Sequence, residues 1–177
     1  MNIDRLTTAE IGEILRTETP PTWDIPVRAD DAGREAGVLM PLLRKQGAWH
    51  LLYIRRPESE QDDHSGEVAF AGGKREQGDA DLLQTALREA REEIGIEPAD
   101  VDVLGSLGRH HSVTRFSIMP VVGVIPWPYP LRPNPSEVAS IFSMPLAWLA
   151  DPGNLDTECL ERSFVTPFFL DFSGPAP

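Results

Sequence analysis

A mixed β-sheet flanked by helices, an α+β arrangement of the α/β/α sandwich kind, is the fold class this chain predicts. Three observations carry it. Apolar runs of strand length recur, as in residues 36–43 (AGVLMPLL), 49–54 (WHLLYI) and 117–124 (SIMPVVGV). Between them lies a stretch of helical period, in which Leu83, Ala86, Leu87, Ala90 and Ile94 form one apolar stripe. A second amphipathic segment, residues 4–16, precedes the first strand, with Leu6, Ile11, Ile14 and Leu15 able to share a face. Strands on either side of embedded helices imply a sheet covered by helices.

In chain order, Thr7 or Thr8 caps the first helix, and Pro20, Pro21 and Pro26 then impose an extended linker. Residues 1–30 are read as a helix-and-linker appendage packed on the core or forming a homodimer contact, and residues 31–177 as the main domain. The polar Arg44-Lys45-Gln46-Gly47 joins the first two strands into a hairpin. A charged loop, 58–65, leads to a short strand, 66–70 (GEVAF), which delivers Gly72 and Gly73. Paired glycines let a backbone approach a ligand closely or take positive φ. Asp79 or Asp81 caps the central helix, with Gln84 as a capping-box partner, and Gly95 and Pro98 end it. Residues 101–107 alternate like a strand and 108–115 form a loop bearing His110 and His111. After the strand at 117–124 come a proline-laden loop at 126–135, a strand at 137–142 opened by Glu137, a short helix at 145–149 and a late strand pair or bent strand at 163–172.

The central helix carries the chemistry. At about 100° per residue, Glu89, Glu92 and Glu93 fall in an arc of roughly 100°, directed away from the apolar stripe. Like charges at this spacing weaken a helix by a few tenths of a kcal/mol per pair, roughly. Oxygen ligands on a rigid element suit Mg²⁺ or Mn²⁺, which would turn repulsion into coordination. Arg88 and Arg91 flank the cluster and can orient single carboxylates.

Composition narrows the function classes. With 177 residues, the chain has room for one domain with a sizeable core. Its net charge of −12, from 16 Lys and Arg against 28 Asp and Glu, argues against polymeric nucleic acid as a partner. A small phosphorylated ligand remains compatible, because a divalent cation reverses the local field. A lone Cys159, an N-terminus unlike a signal peptide and the lack of a bilayer-length apolar run point to a cytoplasmic protein with no membrane partner.

Arg88-Glu89-Ala90-Arg91-Glu92-Glu93-Ile94-Gly95-Ile96 resembles the second half of the Nudix box, Arg-Glu-apolar-any-Glu-Glu-any-Gly-apolar. Gly73, then five residues, then Asp79 resembles its first half, with Asp in place of the usual Glu and one extra residue before Arg88. A finer resemblance is to the coenzyme A pyrophosphatase subfamily. It is carried by Leu51-Leu52-Tyr53-Ile54-Arg55, by His64 through Gly73 (HSGEVAFAGG), by Thr85-Ala86-Leu87-Arg88-Glu89-Ala90, and by Asn134-Pro135-Ser136-Glu137-Val138 with Phe142 and Pro145-Leu146. Ala71 stands where that subfamily usually has proline, and Gln61-Asp62-Asp63 where it normally has an arginine.

The resemblance implies a Nudix fold and hydrolysis of a diphosphate bond with Mg²⁺, or Mn²⁺, as cofactor. Glu89 and Glu93 would hold the metal, with Glu92 a further ligand or the group activating water, and Arg88 would fix a carboxylate. Glu137 is the candidate distant ligand or base. Arg55, Arg56, Lys74, Gly72 and Gly73 are the candidate substrate contacts. Glu76 and Asp79 are weaker candidates for a second metal, and His64, His110 and His111 for a base, since a lone loop histidine is more often structural or merely exposed. The implied substrate is a small molecule, coenzyme A, cut to 4′-phosphopantetheine and adenosine 3′,5′-bisphosphate. The alternatives are another nucleoside diphosphate derivative, such as ADP-ribose or a dinucleotide, and a non-catalytic nucleotide-binding module.

Overall fold

The computed structural model describes residues 2–17, 34–58, 65–112 and 116–154. Its axis is strand β1 (Glu35–Lys45). The C-terminal end of β1 pairs antiparallel with β2 (Ala48–Arg55), in the register Leu42 to Leu51 and Lys45 to Ala48. Gln46 and Gly47 make the turn, both with positive φ (52° and 85°), as the two-residue type I′ hairpin demands. The N-terminal end of β1 pairs antiparallel with β4 (Gly72–Lys74), Gly37 lying opposite Gly73. The other edge of β1 pairs in parallel with β7 (Ser117–Val124). Strands β3 (Val68–Ala69) and β8 (Ser140–Pro145) flank β2, and β5 (Asp102–Ser106) and β6 (His110–His111) pair with β7. The sheet is therefore mixed, as expected.

Alternation along these strands divides the core in two. Leu39, Leu43, Leu52, Ile54 and Val121 face helix α2 (Leu82–Ile94) and pack with its Ala86, Ala90 and Ile94. Leu42, Trp49, Leu51, Tyr53 and Val122 face the other way and pack with Ile11 of helix α1 (Thr8–Thr17). The short helix α3 (Leu146–Leu149) lies on this second side, as does the aromatic stack of Tyr53 with Phe70 (4.7 Å) and Phe142 (5.7 Å). Helices thus cover both faces of the sheet. The Thr7 hydroxyl accepts from the Glu10 N–H at 3.2 Å, and Glu10 returns the bond to the Thr7 N–H at 2.8 Å, a capping box that starts α1. The preceding residues are tied to the hairpin, since the Trp49 indole N–H donates to the Leu6 carbonyl at 2.8 Å. No described helix is long and apolar enough to cross a membrane.

Several expected boundaries shift. The first helix starts at Thr8 rather than residue 4, because Ile3–Arg5 forms a separate 3₁₀ turn capped by Asn2. The strand expected at 66–70 shrinks to Val68–Ala69, since residues 65–66 are a turn in which Gly66 has φ 70°. His110 and His111 lie in a short strand and not a loop, pairing with Ile118 and Ser117. Glu137 does not open a strand. Asn134 folds residues 134–138 into a turn, its carbonyl accepting from the N–H groups of Glu137 (3.0 Å) and Val138 (2.8 Å), and β8 begins only at Ser140. The linker prolines, the loop residues Gln61, Asp62, Asp63 and His64, and the expected strand at 163–172 lie outside the described residues.

The seating of α2 corrects the reading of its apolar stripe. Its buried residues are Leu82, Thr85, Ala86, Ala90, Glu93 and Ile94, while Leu83 and Leu87 are only partly buried. The buried face is rotated toward the carboxylates because α2 sits directly on β1. A Cβ on Gly37 would collide with the Leu82 carbonyl and come within 2.9 Å of the Ala86 nitrogen. Gly37→Ala should therefore lower stability by about 1–3 kcal/mol through overpacking against helix backbone. Chemical denaturation checks this, and a stability equal to wild type would show that α2 can move aside.

Candidate active site

Helix α2 presents its carboxylates in a fixed frame because both ends are locked. Asp81, not Asp79, is the N-cap, accepting from the Gln84 N–H at 2.8 Å. Gln84 in turn accepts from the Ala80 N–H rather than from the cap itself. At the other end Gly95 is left-handed (φ 72°, ψ 24°), and its N–H returns to the Arg91 carbonyl at 3.0 Å. The loop after β7 then docks on that end. The Arg132 N–H donates to the Ile94 carbonyl at 2.9 Å and the Asn134 N–H to the Glu93 carbonyl at 2.7 Å.

Asp79 has a different task, as the anchor of Arg88. Its carboxylate accepts from Arg88 Nε and Nη2 at 3.1 Å each, from the Thr85 hydroxyl at 2.9 Å and from the Glu76 N–H at 2.9 Å. The Arg88 guanidinium is the main reason its pKa falls to about 2. Arg88 also donates to the Lys74 carbonyl at 3.0 Å, and its Nη1 lies 2.9 Å from Glu89 and 3.0 Å from Glu92. One guanidinium thus ties two of the three helix glutamates to the end of β4.

The three glutamates are not equivalent. Glu92 is 55% exposed on the outer side of the helix. Glu89 is mostly buried, and burial raises its pKa against the opposing pull of Arg88, with Glu92 and Glu137 adding to the rise. Glu93 is 3% exposed and its carboxylate accepts from the Gly72 N–H at 3.2 Å. Burial foremost, then Glu89 and Glu137, pushes its pKa up to about 8 despite Gly72 and Arg56. Glu137 belongs to the turn that the Asn134 N–H ties to the Glu93 carbonyl, and its charge adds to the rise at both Glu89 and Glu93. Asn134 holds it there, donating from Nδ2 to Glu137 Oε1 at 3.1 Å.

Of the expected substrate contacts, Gly72 and Gly73 lie in β4, neither with positive φ, and their freedom from side chains serves close approach. A Cβ on Gly73 would collide with the Glu89 carboxylate. Arg56 reaches the electrostatic neighbourhood of Glu93. Arg55, the last residue of β2, instead pairs with Glu58 at 3.1 Å and donates to the Gly66 carbonyl at 3.3 Å. The Lys74 ammonium lies 5.4 Å from the centre of the Phe116 ring, while its carbonyl binds Arg88. Thr85 and Asn134 enter the sequence reading only as members of resembling segments, and their roles at the site come from the structure. An isolated Thr on a helix gives no signal, and the Asn-Pro-Ser-Glu turn is legible only as part of a pattern.

The residues fit a hard divalent cation. Among the described residues no trio of carboxylate, imidazole or thiol groups already converges as a metal cluster, the carboxylates being held by Arg88, Asn134 and the Gly72 amide. The donor chemistry is nonetheless all oxygen, and two mostly buried carboxylates beside a third are disfavoured as anions unless a cation joins them. The place a Gly73 side chain would take is filled by the Glu89 carboxylate, which lies directly on the β4 backbone.

Solved structures with this arrangement of sheet and helices include a C. elegans Ap4A hydrolase in a binary complex (TM-score 0.54, 16% identity, 64% of this chain and 81% of that one). Another is RenU, a Nudix hydrolase from M. smegmatis (TM-score 0.54, 22% identity, 68% and 78%). The NUDIX domain family model matches residues 33–162. Over 114 residues, 64% of this chain, the sequence is 46% identical to the uncharacterized Nudix hydrolase NudL of Cronobacter sakazakii. The match spans only 58% of that relative's length. The chain belongs to the Nudix family.

The Asp79–Arg88 pair yields a pH prediction. Because the folded pKa lies below the ordinary 3.8, the pair's stabilisation is complete above that value and is lost as pH falls toward about 2. Asp79→Asn should cost about 2 kcal/mol at neutral pH and flatten this acid limb. Thermal melts from pH about 2 to about 7 measure both, and an acid limb unchanged in the variant would contradict the assignment.

Proposed function

We propose that this chain hydrolyses the diphosphate bond of a nucleoside diphosphate derivative, and that the substrate is coenzyme A, giving 4′-phosphopantetheine and adenosine 3′,5′-bisphosphate. The observation that carries the general reading is the seating of the Glu89 and Glu93 carboxylates against Gly73 and Gly72 of β4, with the Glu137 turn tied to the same end of α2 through Asn134. Membership of the Nudix family supports it independently. The choice of coenzyme A rests on the subfamily-like residues 51–55, 66–73 and 134–138. These fall on β2, on β3 and β4, and in the Asn134 turn, and among them Gly72, Gly73 and Asn134 touch Glu93, Glu89 and Glu137.

Glu89 and Glu93, with Glu92 as a further ligand, are the residues that would hold Mg²⁺ or Mn²⁺. A bound divalent ion neutralises charge developing on the phosphoryl oxygens. Arg88 fixes the Glu89 carboxylate and so sets the geometry of the donor set. Glu137, held by Asn134 in the turn tied to the end of α2, is the group that would take the proton of an attacking water. Arg56 contributes positive charge on the same side, where a diphosphate would lie.

Chromatographic product analysis with Mg²⁺ tests the proposal, using coenzyme A, ADP-ribose, NADH and a diadenosine polyphosphate in parallel. Adenosine 3′,5′-bisphosphate should appear fastest, and Glu93→Gln should lower kcat by at least about 10²-fold. Faster cleavage of another diphosphate would overturn the choice of coenzyme A while leaving the reaction class. Cleavage of none would overturn both and favour a nucleotide-binding module without turnover.

A further inference from the structure

The end of the sheet beside the carboxylates holds an unusual gathering of cations for a chain of net charge −12. Glu35, at the start of β1, sits between two arginines, with Arg75 at 3.0 Å and Arg109 at 2.8 Å. On the neighbouring positions, Arg34 and Lys74 both lie over one ring. The Arg34 guanidinium carbon is 5.8 Å and the Lys74 ammonium 5.4 Å from the centre of Phe116. Backbone pairing fixes this arrangement, because the Ser117 N–H donates to the Arg34 carbonyl at 2.8 Å and Lys74 lies opposite Ala36. Lys74 forms no ion pair among the described residues. Two cations drawn to one ring repel each other, and a bound anion of double charge removes that cost.

The position relative to the carboxylates says what kind of anion. Consecutive strand residues project to opposite faces. Gly73 faces Glu89 on the α2 side, so Lys74 projects from the other face of β4. Among the described residues no strand pairs with the second edge of β4, where the Gly72 N–H and the Lys74 carbonyl meet the side chains of Glu93 and Arg88. A ligand whose diphosphate meets the helix carboxylates can pass round that edge and place a further group against Lys74 and Phe116. A phosphate one sugar away from the diphosphate has the charge and the reach, and a base or sugar can rest on the ring.

We propose that Lys74, Arg34 and Phe116 form a subsite for a phosphate monoester carried by the nucleotide half of the substrate, beyond its diphosphate. In the reading given above this is the 3′-phosphate of coenzyme A, and the inference rests on that reading for its biological substrate. The subsite makes the enzyme discriminate coenzyme A from its 3′-dephospho form.

The test has two arms. In turnover, Lys74→Met and Phe116→Leu should each lower the ratio of kcat/KM for coenzyme A over 3′-dephospho-coenzyme A by about tenfold, while melting within a few degrees of wild type. In calorimetry, wild type should bind adenosine 3′,5′-bisphosphate more tightly than adenosine 5′-monophosphate, with Lys74→Met erasing the preference. A preference in binding without turnover of coenzyme A would uphold the subsite and overturn the proposed substrate. Equal binding of the two nucleotides by wild type, an unchanged kcat/KM ratio in both variants, or inorganic phosphate binding as tightly as the bisphosphate would overturn the subsite.

Discussion

The direct seating of α2 on the glycine positions of β1 and β4 is the contact on which the rest of this structure depends. Gly37 receives the backbone of Leu82 and Ala86, and Gly73 receives the carboxylate of Glu89. Small residues at such a crossing permit an approach that any side chain would block. The close approach carries Glu93 into the protein, where it would otherwise lie at the margin of the helix's exposed side. Electrostatics at the site therefore follow from packing set several residues away.

Burial of like charges is costly, and the chain offsets it with a small set of fixed donors. Arg88 serves Asp79, Glu89 and Glu92 together, and the Gly72 amide serves Glu93. Asn134 brings Glu137 in from a turn that is itself clamped to the last turn of α2 through the Asn134 N–H and the Glu93 carbonyl. Every carboxylate near the cluster thus has a defined tether, and the tethers converge on one helix and one three-residue strand. The residual destabilisation appears as the raised pKa of Glu89 and Glu93, which a hard cation would relieve.

Much of this is legible in the amino-acid sequence, for identifiable reasons. Strands β1, β2 and β7 and helix α2 have strong periodic or apolar signals, and their expected bounds agree with the structure to within a few residues. The Arg-Glu-Ala-Arg-Glu-Glu run reports its chemistry because clustered glutamates on a helix need an explanation. What is not legible depends on tertiary contact. The apolar stripe read from Leu83 and Leu87 lies too far round the helix, because nothing in the helix alone says that Gly37 draws Leu82, Thr85 and Glu93 inward. The strand-opening role expected of Glu137 fails for a related reason, since the Asn134 side chain and carbonyl hold a turn where propensity reads extended chain. Asp79 and Asp81 are equivalent caps in the sequence, and only the position of Arg88 separates them. The late strand at 163–172 and the loop around Asp62 and Asp63 lie outside the described residues.

Burial of Glu93 against β4 creates, in the proposed function, a carboxyl group that would release its proton to solvent as a divalent cation binds. Calorimetric titration with Mg²⁺ at pH about 6, 7 and 8, in buffers of different ionisation heat, tests this most directly. With Glu93 titrating near about 8 in the metal-free protein, affinity should rise by up to about tenfold per pH unit over this range, one proton being released per ion bound. Glu93→Gln should bind more weakly and lose the pH dependence. Wild-type affinity independent of pH, or the same pH slope in the glutamine variant, would contradict this role for Glu93.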